Sequence, residues 1–568
     1  MSSSTSQHII IQSKTSYGYI LLSYFFSLLR KSSIVGCIYL LGYYHWSATL
    51  LIPPILCSFL IDTLMEHADD RRNIRKIITT KTDKELILSC YKELPPWVFF
   101  PDVERAEWLN RMIHQIWPTV NNYTRIYFEE YLEPELKRNF RAYLPGEFKF
   151  DRIHLGFIPP KITGMKTYDS TDKEQIIIDM NILYGGDCDF QFNVGGMSAG
   201  IKDFQLEGTL RFIMKPFIPT MPLVGGIQVF FINSPEVDFC MGGVTTLLEI
   251  PGIKEKFRTI IVSTIESMAV LPNKLIFQLS EDNDTTTFLR APDPIGVLRI
   301  HIIEARNLIS QDINGKSDPY VCVELGAQKF RTQTISKTLD PTWDYWCEFI
   351  INEINGQRLK IYVWDEDITN DDFLGNTSVD ISSFQSRGHV NTWFTLEQVS
   401  HGRIHIEFFW YFLSKEREDL KRILNDNFLL NISCSSAIVT VFIDSAINLP
   451  VRKDLPNSYV EIKLGVSIKA TQTCFNTNDP IWREGFCLLV RNPYHDILEL
   501  RIIDTKAKQD IGKLDYHLKD LLVVKNLQLN KQPFKLTRSG DNSEIFLSIH
   551  LKIMKINDVA VSQQYLFG

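Results

Sequence analysis

Between Trp97 and Leu279 the apolar positions change rhythm. In PWVFFPDVERAEWLNRMIHQIWPTV, residues Trp108, Leu109, Met112, Ile113, Ile116, Trp117 and Val120 recur at helical spacing, which predicts a helix. The segments QIIIDMNILY, IKDFQLEGTLRFIM and LVGGIQVFFI then alternate, which predicts a twisted sheet with one apolar face. Ile176, Ile178, Met180 and Ile182 fall on one side of it, with Ile177, Asp179 and Asn181 on the other. Farther upstream, Ser32 to Ile61 is a thirty-residue run whose only potentially charged side chain is His45. That length exceeds one membrane helix and falls short of two. Arg30 and Lys31 precede the run, and Arg71, Arg72, Arg75 and Lys76 follow it, so both ends prefer the cytosol. A hairpin turning near Gly42–Trp46 satisfies this; a single tilted span is the alternative. Residues 62–94 read as a charged, weakly amphipathic connector that stops at Pro95-Pro96.

Two later stretches share one strand pattern. The first holds GVLRIHIIEARNLISQD, GKSDPYVCVELG, DPTWDYWCEF and LKIYVWDEDITNDDFLG. The second holds AIVTVFIDSAINLP, NSYVEIKLG, NDPIWREGFCLLV and LELRIIDTKAKQDIG. A short charged segment over 414–433, helical by pattern, joins them.

The chain of 568 residues has room for roughly three or four domains, and 45% hydrophobic with 22% charged residues describes ordinary folded protein. A net charge of −7 argues against wholesale nucleic-acid binding. The ten cysteines form no CxxC pair and read as reduced thiols of a cytosol-facing chain. In the central module Asp187, Asp189 and His154 fall in no acid–base or nucleophile pattern and read as solvated surface. No catalytic residues are expected.

The strongest local chemistry lies in the first repeat. Asp312 and Asp318 bracket one loop, and Asp365, Asp367, Asp371 and Asp372 crowd another. Calcium is a hard cation that takes about six to eight oxygen ligands, and clustered carboxylates supply them. Without an ion these like charges repel, so the loops are expected to be loose until it binds. In the second repeat Asn457 and Lys506 stand where two of the acids belong. Only Asp454, Asp504 and Asp510 remain, and calcium-independent behaviour is expected.

These phrases carry a family resemblance. FPDVERAEWLN, MPLVGG and VLPN, in that order, resemble the lipid-harbouring SMP domain of extended synaptotagmins, and both repeats resemble C2 domains. The resemblance implies a multidomain, mainly β chain with some α. Its parts are a cytosolic segment (1–31), a membrane hairpin (32–61), the connector (62–94) and an α/β SMP half-barrel (95–280). Two C2 β-sandwiches follow (294–413 and 434–555, separated by the 414–433 linker), then a tail (556–568). It implies anchorage in the endoplasmic reticulum, a groove for glycerophospholipid tails, pairing of two SMP modules end to end, and calcium-dependent docking on anionic membranes. Ile178, Met180, Ile182, Leu210, Phe212, Val229 and Phe231 become candidate groove residues, although an aliphatic stripe is more often plain core. The candidate metal ligands are Gln311, Asp312, Asp318, Asp365, Glu366, Asp367, Asp371 and Asp372. Thr369 replaces a frequent further acid, so the number of ions stays open. Ile313 and Ile368 at the loop tips, and Lys463 and Lys469 on the second C2 domain, are candidate membrane contacts. Longer extended synaptotagmins add a further C2 domain that grips plasma-membrane phosphoinositides, so the target membrane is open here. A tether that moves no lipid, and a membrane-bound lipid enzyme, are the competing readings.

Overall fold

The structure is a computed structural model that describes residues 104–134, 137, 148–168, 175–194, 197–242, 253–280, 282–310, 317–367, 371–429, 432–451 and 454–556. The apolar run at 32–61, its flanks and the C-terminal tail lie outside them. Among the described residues no helix is long and apolar enough to cross a membrane.

The central module is an eight-stranded antiparallel sheet with helices. Its elements are α1 (Glu107–Tyr127), β1 (Phe148–His154), β2 (Lys161–Tyr168), β3 (Ile176–Gly185), β4 (Asp189–Val194), β5 (Met197–Phe217), β6 (Val224–Phe231), β7 (Glu236–Gly242), α2 (Ile253–Ala269), β8 (Leu275–Gln278) and α3 (Asn283–Arg290). The 21-residue β5 is the hub and pairs with β3, β4, β6 and β7. Helix α1 is seated by side-chain hydrogen bonds as well as by packing. Asn110 bonds the backbone of Ile162 in both directions (2.8 and 3.0 Å), Trp117 Nε1 donates to Gly156 O (3.1 Å), and Asn121 Oδ1 accepts from Leu155 N (3.0 Å). The apolar helical positions divide into two sets. Leu109, Ile113, Trp117 and Val120 are half-buried, whereas Trp108 (58%), Met112 (47%) and Ile116 (51%) stay exposed.

The two repeats form sandwiches of eight strands each. The first comprises β9 (Gly296–Arg306), β10 (Pro319–Leu325), β11 (Gln328–Arg331), β12 (Thr342–Ile351), β13 (Arg358–Asp365), β14 (Asp372–Asp380), β15 (His389–Thr395) and β16 (Arg403–Ser414). The second comprises β17 (Ala437–Ile447), β18 (Ser458–Leu464), β19 (Ser467–Ala470), β20 (Ile481–Val490), β21 (Ile497–Asp504), β22 (Gln509–His517), β23 (Gln528–Lys535) and β24 (Glu544–Lys555). One sheet of each is separate, β11-β10-β13-β14 and β19-β18-β21-β22. The other two are fused: β16 pairs antiparallel with β24 through Phe412↔Lys555, Leu413↔Met554 and Ser414↔Ile553. The linker between them contains a helix, Arg417–Leu429. Buried Arg299 ties this joint together, binding Glu348 (2.9 Å), Tyr411 Oη (2.9 Å), Asn427 Oδ1 (2.9 Å) and Ser435 O (2.6 Å). Each sandwich has its own aliphatic core, with Trp410, Phe349 and Phe408 fully buried in the first.

The central module packs on the base of the first sandwich. Ala327 N donates to Leu271 O (2.7 Å), Arg358 N to Asn233 Oδ1 (2.9 Å), and Asn233 Nδ2 to Gly356 O (2.9 Å). Lys329 pairs with Glu266 at 2.9 Å.

Candidate functional site

Strand register gives the central sheet its chemistry. Met165, Met180, Leu210 and Phe231 lie on one rung across β2, β3, β5 and β6, and Thr167, Ile178, Phe212 and Val229 lie on a second. Directly paired residues share a face, so the candidate groove residues form one continuous apolar surface, with Ile182 one step along β3. Their packing differs. Phe231 is buried and sits with Leu210 against Ile265, Met268 and Ala269 of α2, which is core behaviour. Val229 is also buried. Ile178, Met180, Ile182 and Phe212 are half-buried and belong to no packed apolar cluster among the described residues. Four aliphatic or aromatic side chains on one sheet face, partly covered and unsealed, suit a surface that holds acyl chains.

The opposite face carries polar residues, and it is covered. Arg211 is 1% exposed and clasps Asp179 through Nε (2.6 Å) and Nη2 (2.7 Å), while Tyr168 Oη donates to Asp179 Oδ2 (2.8 Å). Burial, and then the bond to Asp179, push the Tyr168 phenol up to about 12. A cavity of about 1150 Å³ lies between this face and the two sandwiches, bordered by Ile177, Lys215, Gln228, Lys274, Glu353 and Glu484, and none of the candidate groove residues lines it. Lys274 Nζ lies 4.8 Å from the Phe230 ring, and burial pulls its ammonium down to about 8.

The polar residues read from the sequence as solvated surface have structural roles. Asp187 Oδ1 accepts from Phe157 N (2.7 Å) and Ile158 N (3.0 Å), Asp189 pairs with Arg152 (3.0 Å), and His154 Nδ1 accepts from Gly156 N (2.9 Å).

At the apex of the first sandwich three strand ends bring acids together. Asp365 closes β13, pairs in register with Asp372 at the start of β14, and lies opposite Pro319, next to Asp318. Backbone donors occupy part of this set. Asp318 N bonds Asp365 Oδ1 (2.6 Å), Lys337 N bonds Asp318 Oδ1 (2.5 Å), and Asp371 accepts from Tyr320 Oη (2.6 Å) and Asp367 N (3.1 Å). Glu366, another candidate ligand, has an exposed carboxylate that pairs with Arg331 at 2.6 Å. Hydrogen bonds from Thr334 and then Arg331 hold its pKa below the ordinary value. Among the described residues no group of three acids or histidines is close enough to hold an ion. Gln311, Asp312, Ile313 and Ile368 lie outside the described residues. The donor chemistry fits calcium, with hard carboxylate oxygens at converging strand ends.

The second apex lacks this set. Asn457 and Asp504 occupy the places of Asp318 and Asp365, and Lys506 fills the gap between loops. Of the two lysines expected to meet lipid, Lys463 pairs with Ile468 and Lys469 with Ile462 in register, so they lie on opposite faces of the β18–β19 hairpin. Lys469 borders the interdomain cavity, and Lys463 lies 3.9 Å from Glu499. They do not form one cationic surface.

An antiparallel sheet with helices thus precedes two sandwiches that share one sheet. Residues 102–280 match the family described as the synaptotagmin-like mitochondrial-lipid-binding domain, and residues 296–396 and 437–536 match the C2 domain. Mouse extended synaptotagmin-2 is 35% identical over 480 residues, covering 82% of this chain and 56% of the relative. Extended synaptotagmin-3 of Xenopus tropicalis is 36% identical over 495 residues, covering 82% and 54%. The solved structure of the SMP domain and first two C2 domains of extended synaptotagmin 2 superposes with a TM-score of 0.60 at 33% identity, covering 80% of this chain and all of that one. The chain belongs to the extended synaptotagmin family. It spans about half the length of the curated relatives it matches.

Proposed function

We propose that this chain is an endoplasmic-reticulum-anchored carrier of glycerophospholipids that acts as a calcium-regulated tether at membrane contact sites. The observation that carries the reading is the face formed by Ile178, Met180, Ile182 and Phe212, which is apolar, continuous by register and outside the packed cores. Removing acyl chains from water stabilises the complex by about 0.8 kcal/mol per methylene, and no catalyst is required. The carboxylates at the first apex, Asp318, Asp365, Asp367 and Asp372, together with Asp312, hold calcium in this reading, and lipid phosphates complete its shell. Asp371 braces the loop through Tyr320 and Asp367. The run at 32–61 anchors the chain, and two SMP modules pair into a homodimer. Leu210 and Phe231, packed on α2, favour the alternative of a solid module that tethers and moves nothing.

Mass spectrometry of lipid retained by a chain beginning at residue 91 separates the two. Near-stoichiometric glycerophospholipid supports the carrier. An empty, stable module leaves the tether. Analytical ultracentrifugation of the same chain tests the dimer.

A further inference from the structure

The cavity of about 1150 Å³ between the central sheet and the two sandwiches carries basic residues on more than one wall. Lys215 on β5, Lys274 before β8 and Arg290 at the end of α3 come from the central module, and Lys469 on β19 and Arg483 on β20 from the second sandwich. Acids also line it, but cations that do not line it hold three of them. Glu353 lies 3.4 Å from Arg211, Glu348 lies 2.9 Å from Arg299, and Asp293 lies 3.0 Å from Lys552. Glu484 accepts from Gln472 N at 2.9 Å, and burial keeps its carboxyl above the ordinary value. By contrast, Lys274, Arg290 and Lys469 make no ion pair among the described residues. The chamber therefore presents more positive charge than its own acids answer.

Lys274 is the cation least well served. Its half-buried ammonium has the Phe230 ring at 4.8 Å and Gln228 Oε1 at 3.5 Å, and Gln228 is itself fixed by donating Nε2 to Leu289 O (2.6 Å). Neither neutral group replaces the water an ammonium loses on burial. Burial dominates and pulls its pKa down to about 8; Glu353 and Asp293 work against the fall, and Lys215 and Arg211 add to it. Arg290, Lys469, Arg483 and Glu484 face the same chamber from its other walls. An anion placed beside Lys274 would supply the missing counter-charge.

The size and spread of the charges select the ligand. Pockets of about 300–1,000 Å³ hold small organic molecules, so this chamber has room for more than a single ion. An acyl chain would leave the cations without partners. A phosphate group offers three acceptor oxygens and more than one charge, so a single group can meet cations from two walls, which a carboxylate does less well. We propose that this interdomain chamber binds a phosphate-bearing anion, with Lys274 as its central anchor and Arg290 and Lys469 as outlying partners. The phosphate is carried by a small molecule or by a lipid headgroup. Because the walls come from three domains, the bound anion also ties them together. This goes beyond the carrier reading and rests neither on lipid transfer nor on calcium.

The test is isothermal titration calorimetry of the full chain in phosphatidylcholine nanodiscs at pH 8 with EGTA, in two buffers of different ionisation enthalpy. Sodium tripolyphosphate is the probe, and citrate is the carboxylate control. Calcium is chelated and no lipid is transferred, so failure here is separable from failure of the carrier reading. Tripolyphosphate should bind saturably, at least about tenfold more tightly than citrate, and should slow proteolysis between residues 280 and 295. Lys274→Met should weaken binding at least about tenfold, and Lys469→Gln about threefold. Lys274→Arg keeps the charge and does not titrate at this pH, so its affinity should stay within about threefold of wild type. Wild type should take up about half a proton more than Lys274→Arg on binding, since the anion raises the pKa of a lysine that is half-protonated near pH 8. Capture of phosphatidylcholine vesicles containing phosphatidic acid identifies the source: capture lost in Lys274→Met supports a lipid headgroup, and tripolyphosphate binding without capture supports a free phosphate ester. If Lys274→Met fails to fold, Lys274→Arg and Lys469→Gln decide the matter. Absence of both tripolyphosphate binding and vesicle capture, equal affinity for citrate, full binding by folded Lys274→Met, or equal proton uptake by Lys274→Arg would each overturn the proposal.

Discussion

Arg211 clasps Asp179 at 2.6 and 2.7 Å inside the central sheet, and its third nitrogen lies 3.4 Å from Glu353 of the first C2 domain. Two domains thus share one buried charge cluster. Removing one partner of such a pair strands the other, at a cost of about 3–5 kcal/mol. Asp179→Asn should therefore lower the unfolding midpoint of the SMP module sharply. Glu353→Gln should leave that midpoint nearly in place and loosen only the domain junction, read as faster proteolysis between residues 280 and 295. Equal effects of the two variants would contradict this division of roles.

Gly326 lies in the same junction with φ of +59°, and a Cβ there would collide with Leu271 O. Both the left-handed backbone and the close approach exclude a branched side chain. Gly326→Val is expected to part the SMP module from the first sandwich while the sandwich core survives. Small-angle scattering should show an increased radius of gyration with native circular dichroism; an unchanged radius would show that the junction tolerates the added bulk.

Calcium dependence should reside in the first apex. In the full chain, Asp365→Asn with Asp367→Asn is expected to abolish the calcium-stimulated increment of binding to phosphatidylserine vesicles. A wild-type increment in the variant would remove Asp365 and Asp367 from the ligand set. Glu366→Gln, because Glu366 is turned to Arg331, should change the calcium midpoint by less than about threefold.

Glu407 sits between His301 (3.4 Å) and His389 (2.7 Å) on the outer face of the first sandwich. Hydrogen bonds from His301 and then His389 hold its carboxyl at about 2. Burial works against charge on His301, but its bonds to Glu407 and Asp344 raise its pKa above the ordinary value. The lowered carboxylate contributes stability above its unfolded pKa and loses it as pH falls toward 2. The raised imidazole contributes below its unfolded pKa of about 6.5 and loses it as pH rises through the folded value. Glu407→Gln should therefore cost about 1 kcal/mol near pH 6 and clearly less near pH 9. Thermal melts of both proteins at the two pH values measure the difference, and a pH-independent loss would mean that packing alone is at stake.

Much of this architecture was legible from local pattern. The alternation in β3 placed Ile178, Met180 and Ile182 on one face, and the rungs to Leu210 and Phe212 agree. Of the acids at the first apex, the strand register pairs Asp365 with Asp372, as their places at neighbouring strand ends suggest. Asp179 was placed correctly on the polar side, yet that side is buried, since alternation along one strand cannot reveal that a second domain covers it. Helical spacing likewise groups Trp108 with Leu109, although Trp108 is exposed and Leu109 half-buried. Glu366 resembled its neighbours in sequence; only the fold shows Arg331 beside it. The fused sheet was illegible because Phe412–Ser414 and Ile553–Lys555 read as ordinary strand ends.

That fusion has a mechanical meaning. Pulling the two apexes apart draws β16 and β24 in opposite directions along their own axes. The three residue pairs that join them are then loaded in shear and must give way together, whereas a peeling geometry would release them one at a time. A protein strung between two moving membranes would carry tension through this backbone ladder, with Arg299 clamping the linker helix beside it.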